Sequence, residues 1–405
     1  WKSYGDHCSK NTLCCFHLCW VCPLSHNLEC RKMIIRIPCY TAGYRIVSLA
    51  KCFQALHHLL EQGLDALYLG NGKLTLYPDD VLLTDDAAVL ERFSYCDDYD
   101  VFEVDSQGRA YLYYNNESLD NAFFITGKCN SNCVMCPASE TSRRLGTTST
   151  LKHLLQLVEH IPSDAAHMTI TGGEPLLLGR NIFPFLKALR DKFSRTEFLL
   201  LTNGRIFCRE DYCDLLYGAL PSRTVMGIPL HGYDAFTHDR ITQVCGSYYQ
   251  TYQGLKNLLA RGFQVELRVV ISKLTAPTIT QIAQQIAEEF PTVASVKFIG
   301  LEMLGNAAKH QDMVWISYPR AFRAAEKGAR ALIDAGIDVR FYNFPLCAVD
   351  PAFWPICAKS ITDYKVRYAE NCTSCSVKDA CGGVFAGTFR LAKGDMVPIR
   401  EEKLC

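Results

Sequence analysis

Three cysteines, Cys129, Cys133 and Cys136, stand in Cys129-Asn130-Ser131-Asn132-Cys133-Val134-Met135-Cys136, directly after the apolar run Ala122-Phe123-Phe124-Ile125-Thr126. Cysteine thiolates are the usual ligands of iron–sulfur clusters, and a closed electron-carrier site takes four of them. A C-x3-C-x2-C spacing at the exit of a strand supplies three corners of a cubic cluster and leaves one iron without a protein ligand. Such a site is open, much as a catalytic zinc keeps one position free for substrate. The open iron can bind a small molecule that offers an amine and a carboxylate. The same spacing also reads as a zinc knuckle, or as three unrelated buried thiols.

The next strand-like run ends in Thr171-Gly172-Gly173-Glu174-Pro175. Two glycines let a ligand approach the backbone closely, and Glu174 can accept hydrogen bonds from an ammonium group. Taken alone, the segment is equally a tight strand-to-helix turn. Leu201-Thr202-Asn203-Gly204 ends the third run, and Asn203-Gly204 is also a turn signal. Pro229-Leu230-His231 closes the fourth. His231 is a candidate proton donor, against the commoner role of a lone histidine as a satisfied structural residue. No other residue is singled out as catalytic. Further on come Cys347, Cys357, Cys372, Cys375 and Cys381. Cys372-x2-Cys375-x5-Cys381 is compact, and Cys347 can return from the end of the preceding strand. Four of these thiolates can close a saturated second cluster that carries electrons or positions substrate, and four thiolates also suit tetrahedral zinc.

The cysteine loop, followed one strand–helix unit later by the GGEP segment, resembles the radical S-adenosylmethionine (radical SAM) superfamily. The resemblance implies a [4Fe-4S] cluster on Cys129, Cys133 and Cys136 whose open iron chelates the methionine end of S-adenosyl-L-methionine. One electron from the reduced cluster then breaks the C5′–S bond, and a 5′-deoxyadenosyl radical abstracts hydrogen from the substrate. By the same resemblance Gly172, Gly173, Glu174 and Pro175 hold the methionine amino group, and Asn203 lies beside the ribose and methionine. Arg268 would face the nucleoside or the methionine carboxylate, with a solvated strand charge as the alternative. The segment around Leu301 would contact adenine through its backbone. The residue before the last cysteine is usually aromatic in that superfamily and here is Met135, which puts one packing contact to adenine in doubt. The C-x2-C-x5-C run resembles the auxiliary-cluster domains of peptide-modifying radical enzymes, which implies a second [4Fe-4S] cluster on Cys347, Cys372, Cys375 and Cys381. The longer pattern has one more cysteine four residues on, where this chain has Phe385. One auxiliary cluster is therefore expected, with Cys357 the doubtful ligand.

Five further runs resemble the radical maturases of His-Xaa-Ser systems, of the HxsC type: Leu201-Thr202-Asn203-Gly204-Arg205, Gly227-Ile228-Pro229-Leu230, Ile299-Gly300-Leu301-Glu302, Tyr342-Asn343-Phe344-Pro345-Leu346-Cys347 and Cys381-Gly382-Gly383. This similarity covers most of residues 40–390. It implies a maturase acting on a ribosomally made peptide (a RiPP) or small protein with His-Xaa-Ser repeats. A partner radical maturase and an electron donor such as flavodoxin or ferredoxin go with that reading. A radical enzyme of modified-nucleoside or cofactor synthesis is one alternative, and a non-catalytic iron–sulfur or zinc protein is another.

These residues must be positioned by a repeating scaffold. Short apolar runs at 122–127, 167–171, 197–202, 224–230, 264–271 and 295–301 alternate with helical spacing at 150–160, 180–192, 250–261 and 278–289. Six such βα repeats predict a parallel sheet with helices outside, a partial (β/α)6 TIM-like barrel of the α/β class. Chemistry in such folds collects at the carboxyl ends of the strands, where the motifs lie. Residues 33–118 read as a small N-terminal α+β domain, 119–310 as the barrel, and 311–405 as a cysteine-rich, cluster-binding extension. In 33–118, strand-like runs at 44–47, 66–69 and 74–77, a helical 50–62, and a hairpin around Asp105-Ser106-Gln107-Gly108 stand out. Residues 1–32 hold Cys8, Cys14, Cys15, Cys19, Cys22 and Cys30, with a C-x2-C pair at Cys19 and Cys22, and read as a non-native or disordered extension.

Composition narrows the class. Lys plus Arg and Asp plus Glu number 42 each, so no net field draws nucleic acid or an anionic membrane. An apolar share of 49% with 21% charged residues fits a globular chain, and no apolar run approaches the roughly 20 residues of a membrane span. Of 21 cysteines, only Cys208, Cys213 and Cys245 fall between Pro137 and Phe344. That clustering at metal-ligand spacings predicts cluster binding in a reducing cytoplasm rather than a disulfide framework.

Overall fold

The structure, a computed structural model, describes residues 34–400. The cysteine-rich stretch 1–32 and its C-x2-C pair lie outside the described residues. Two sheets organise the chain, and each has its own apolar core.

The first sheet contains seven strands: β1 (Ile34–Arg36), β2 (Arg45–Ala50), β3 (Ala66–Gly70), β4 (Lys73–Tyr77), β5 (Val81–Thr84), β6 (Val101–Val104) and β7 (Arg109–Tyr114). Their order is β1-β7-β6-β2-β3-β4-β5. Only β2 and β3 run parallel, and the helix Phe53–Glu61 makes the crossover that parallel neighbours require. Asp105 Oδ1 closes the β6–β7 turn by accepting the N–H groups of Gln107 (2.9 Å) and Arg109 (3.0 Å). Alternating residues such as Val47, Leu49, Leu67, Leu74, Leu76 and Phe102 fill one core.

The second sheet is parallel throughout: β8 (Ala122–Phe124), β9 (His167–Thr171), β10 (Glu197–Leu201), β11 (Thr224–Pro229), β12 (Gln264–Ile271), β13 (Ser295–Gly300), β14 (Val339–Tyr342) and β15 (Cys357–Ala358). They lie in sequence order across the sheet, the open arrangement of a partial barrel. The six expected strands are all present, with the amphipathic helices Leu151–His160, Ile182–Lys192, Ser247–Ala260 and Ile279–Glu289 between them. Burial of Leu200, Met226, Ile228, Leu267 and Phe298 with Ile282, Ile286 and Leu255 locks the helices onto one face. The sheet runs on past the sixth strand. The helix Tyr318–Asp334 returns the chain to β14, which pairs with β13 in the register Val296↔Val339. A boundary at 310 thus falls inside a continuously hydrogen-bonded sheet.

Paired residues of parallel strands share a face, so the register defines what the other face carries. One row is Leu201, Gly227, Glu266; the next is Pro229, Arg268, Lys297, Arg340. The two sheets meet through polar contacts from one helix: Ser48 Oγ lies 2.9 Å from His160 Nδ1, and His153 Nε2 lies 2.9 Å from Glu103 Oε1. Among the described residues no helix is long and apolar enough to cross a membrane.

Candidate active site and thiol clusters

The cysteine loop leaves β8 and is held by parts of the chain far away in sequence. The N–H groups of Asn132 and Val134 donate to the carbonyls of Thr242 and Ile241 (2.9 Å each), at the end of the helix Ala235–Thr242. Asn306 Nδ2 donates to Asn132 Oδ1 and to the Cys133 carbonyl, both at 3.1 Å, while its Oδ1 accepts Glu140 N–H at 3.0 Å. From the end of β10, Arg205 Nη1 donates to the Asn130 carbonyl (2.7 Å) and Ser131 Oγ (3.2 Å), and Asn203 Nδ2 donates to Asn130 Oδ1 (2.6 Å). Gln250 Oε1 fixes the guanidinium by accepting Arg205 Nε–H at 2.7 Å. Sequence does not distinguish Arg205 or Asn306 as a site residue, although Arg205 ends the run Leu201-Thr202-Asn203-Gly204-Arg205, because their partners lie far off in the chain.

Burial pushes Cys129 up to about 11 and raises Cys133 further, and the neighbouring thiols add to both shifts. A backbone N–H is already aimed at sulfur: Ser131 donates to Cys129 Sγ at 3.4 Å. Met135 is buried with Val134, Ile241, Leu301 and Met303. It packs against the end of β13, and the Leu301 carbonyl accepts Thr388 Oγ1–H at 3.1 Å.

The GGEP segment lies against the start of the cysteine loop. Gly173 N–H donates to the Thr126 carbonyl (2.7 Å) and Glu174 N–H to the Lys128 carbonyl (2.9 Å). A Cβ on Gly172 would sit 2.5 Å from the Thr126 oxygen, and one on Gly173 would collide with the Lys128 carbonyl. Sequence reasoning assigned these glycines to ligand approach; in the structure it is the backbone of the cysteine loop that comes close. Glu174 is buried, which raises its carboxyl against the opposing effect of three hydrogen bonds. Its Oε1 accepts Thr202 Oγ1–H (2.8 Å) and Leu176 N–H (3.2 Å), and its Oε2 accepts Asn203 N–H (2.7 Å). A carboxylate has about four acceptor positions, so one remains for a further donor. Pro175 begins the following 3-10 turn, where its missing N–H costs nothing.

Arg268 is not a solvated strand charge: its side chain is 11% exposed and Nη1 lies 3.5 Å from Glu266 Oε1. Its neighbour in register, Lys297, also faces Glu266 (3.9 Å) and Asp338 (3.3 Å). His231 is buried with its ring 5.4 Å from that of His238, and its backbone N–H donates to His238 Nδ1 at 3.3 Å. Burial drives both imidazoles toward the neutral form, His238 down to about 4.

The second cysteine set is local. Cys347, Cys372, Cys375 and Cys381 line one cavity with Tyr368, Lys378 and Met396. Short 3-10 turns, Leu346–Ala348, Glu370–Ser374 and Lys378–Ala380, present them. Cys381 Sγ accepts N–H from Leu346 (3.3 Å) and Gly383 (3.4 Å), and Cys375 Sγ accepts from Ile399 (3.4 Å). Amides aimed at sulfur are the environment of thiolates that hold a cluster. Cys357 is outside this lining; its thiol turns back to the Phe353 carbonyl at 3.4 Å. Phe385, where a further cysteine would extend the pattern, is buried in the small pair of strands β16 (Val366–Arg367) and β17 (Val384–Phe385). Among the described residues no three His, Cys, Asp or Glu side chains converge closely enough to hold a single metal ion.

Comparison with known proteins bears on the barrel. Residues 123–286 match the model of the radical SAM superfamily. The AdoMet-dependent heme synthase of Methanosarcina barkeri is 28% identical over 176 residues, 43% of this chain and 48% of that protein. The subtilosin biosynthesis protein AlbA of Bacillus subtilis is 25% identical over 170 residues, 42% of this chain and 37% of that one. The chain thus spans about half the length, or less, of these relatives. A solved structure of Streptococcus suis SuiB bound to precursor peptide SuiA has a TM-score of 0.44 at 13% identity, covering 54% of this chain and 47% of that one. The cysteine loop and the GGEP edge both lie inside the span, residues 123–286, that matches the radical SAM superfamily.

Proposed function

We propose that this chain is a radical SAM enzyme that takes hydrogen from a ribosomally made peptide. The observation that carries the reading is the contact between the two motifs: the Thr126 and Lys128 carbonyls, just before Cys129, accept N–H bonds from Gly173 and Glu174. Cys129, Cys133 and Cys136 hold a [4Fe-4S] cluster by three thiolates. Glu174 offers its remaining acceptor position to the methionine ammonium, and Arg268 offers a cation to the carboxylate. Bound together, cluster and S-adenosylmethionine supply one-electron cleavage of a carbon–sulfur bond and a carbon radical that takes hydrogen. The chain's own work is to orient and to exclude water. Arg205, Asn203 and Asn306 fix the loop, and Met135 with Leu301 closes an apolar wall beside it.

Cys347, Cys372, Cys375 and Cys381 hold a second [4Fe-4S] cluster in this reading, with four thiolates and no open iron. AlbA, named for the biosynthesis of a bacteriocin, supports a peptide as the substrate. His-Xaa-Ser repeats as the target rest on the five sequence runs that resemble HxsC-type maturases, and a partner maturase and a flavodoxin or ferredoxin donor rest on the same runs. The test is anaerobic reconstitution with iron and sulfide, then S-adenosylmethionine and dithionite. Formation of 5′-deoxyadenosine with a mass change in a His-Xaa-Ser peptide is the expected result. 5′-Deoxyadenosine without a peptide product points to a small-molecule substrate, and zinc in place of iron with no 5′-deoxyadenosine overturns the enzyme.

A further inference from the structure

The chain that follows the second thiol set turns back onto it. After the 3-10 turn Lys393–Asp395, Met396 and Val397 form part of the lining of the cavity that holds Cys347, Cys372, Cys375 and Cys381. Met396 is 2% exposed, whereas Lys393 and Arg400 on either side are exposed. One end of this stretch is anchored on the barrel. Asp395 Oδ2 accepts the N–H of Tyr318 at 3.0 Å, an amide that the start of the helix Tyr318–Asp334 leaves without an intrahelical partner. The other end is stitched to a thiol turn. The Ile399 carbonyl accepts Ser376 N–H (2.9 Å) and Ser376 Oγ–H (3.0 Å), and Ile399 N–H donates to Cys375 Sγ (3.4 Å).

The four thiols come from two separate parts of the chain. Cys347 follows the end of β14, while Cys372, Cys375 and Cys381 sit on or beside later turns. Residues 395–399 touch both parts: Cys347 Sγ–H donates to the Asp395 carbonyl at 3.8 Å, and Asn371 Nδ2–H donates to the Met396 carbonyl at 3.1 Å. The stretch thus bridges the two halves of the thiol set without supplying a thiol. It is also the wall that opens most readily. Cys347 is tied to the parallel sheet through β14, but residues 396–399 belong to no helix or strand and are held by single hydrogen bonds and one buried methionine. Segments held in that way open locally at a small part of the cost of unfolding.

We propose that residues 395–399 are a strap that gates the second thiol site. The strap lifts to admit a cluster; once down, it clasps Cys347 to the turns of Cys372 and Cys375 and slows the cluster's loss. This rests on the second-cluster reading of the preceding section and adds control of loading by a segment that supplies no ligand.

The test uses the full chain carrying Cys133→Ala, so that iron reports the second site alone, and the same protein with Ile399→Pro or Asp395→Ala added. Ile399→Pro deletes the N–H aimed at Cys375 Sγ, and Asp395→Ala frees the anchored end. All three are reconstituted with iron and sulfide. Iron uptake is expected to match in all three, since the four thiols remain. Release of iron to a chelator is expected to quicken about 10-fold in Ile399→Pro, the lower end for loss of an outer partner, and to quicken in Asp395→Ala as well. Trypsin provides a readout without iron chemistry, because Lys393 and Arg400 bracket the strap. Cutting at these two residues is expected to be slower in loaded than in chelator-stripped Cys133→Ala protein, because whatever the strap retains must in turn hold the strap down. Release rates equal to the parent's in both variants overturn the gate, and so does equal cutting of loaded and stripped protein. Loss of iron uptake in either variant makes the segment part of the site's frame and also overturns the gate. If the Cys133→Ala parent itself takes up no iron, the second-cluster reading fails and the strap's role with it.

Discussion

Around Cys129–Cys136 the supporting groups arrive from three distant places, Asn203 and Arg205 (the latter held by Gln250), Ile241 and Thr242, and Asn306, with Arg143 adding a nearer contact. Around Cys372–Cys381 they are backbone amides, Gly383 close in sequence and Leu346 and Ile399 further off. The first site is a loop held in shape by long-range side chains, so it exists only when the barrel is folded. The second is a set of short 3-10 turns whose sulfurs are met by backbone amides rather than by long-range side chains. Three thiols held from outside suit a site with an open position; four enclosed by their own turns suit a closed one.

Removing one thiol from each site separates the two most strongly. Cys133→Ala is expected to reduce 5′-deoxyadenosine formation to background while roughly half the iron stays, if each site holds one four-iron cluster. Cys381→Ala is expected to lose the other half of the iron and the peptide product, yet still cleave S-adenosylmethionine. Cys357→Ala, outside the cavity lining, is expected to leave iron and product unchanged, and iron analysis with product mass spectrometry reads all three. A smaller effect separates the backbones. Gly173→Ala forces a methyl group into the Lys128 carbonyl and is expected to cost about 1–3 kcal/mol in urea unfolding. Gly382→Ala, beside the second site, meets nothing nearer than 3.3 Å and is expected to cost less.

The smallest effect is a difference in acid sensitivity. His238 is held down to about 4 by burial, with Asp239 pulling the other way and Arg205 and His231 nearby. The unfolded chain therefore binds more protons between about pH 4 and 6.5, so stability rises with pH across that window and falls on acidification. His238 lies on the helix whose carbonyls hold Asn132 and Val134, whereas residues 345–400 contain no histidine. Hydrogen exchange at pH 5 is expected to quicken at Asn132 and Val134 before Cys375 and Cys381, and equal loosening would remove the distinction.

The strands of the barrel were legible because each is a short apolar run, and buried parallel strands need no alternation. Strand β5 and the helix Ala87–Ser94 were not read, since Val81-Leu82-Leu83-Thr84 is short and half exposed and the helix is mixed in polarity. The cysteine spacing marks both thiol groups in the sequence, and the structure gathers four of the five downstream thiols around one cavity while leaving Cys357 aside. What sequence could not show is the support. Asn306 reaches Cys133 across 173 positions, and Arg205 reaches Asn130 across 75, separations at which no local pattern survives. Arg143 is within reach of the motif in sequence, but its burial is visible only in three dimensions.

The continuation of the sheet through β14 and β15 has a consequence for how this molecule can be divided. A piece cut after residue 310 would bare the whole hydrogen-bonding edge of β13 and strip the helix Tyr318–Asp334 from its flank. Bare parallel edges invite pairing between chains, so such a fragment is expected to aggregate rather than to serve as a minimal catalyst. The same continuity ties one thiol of the second set to the sheet: Cys347 follows β14 by five residues, so its distance from the first set follows from strand pairing and not from a tether.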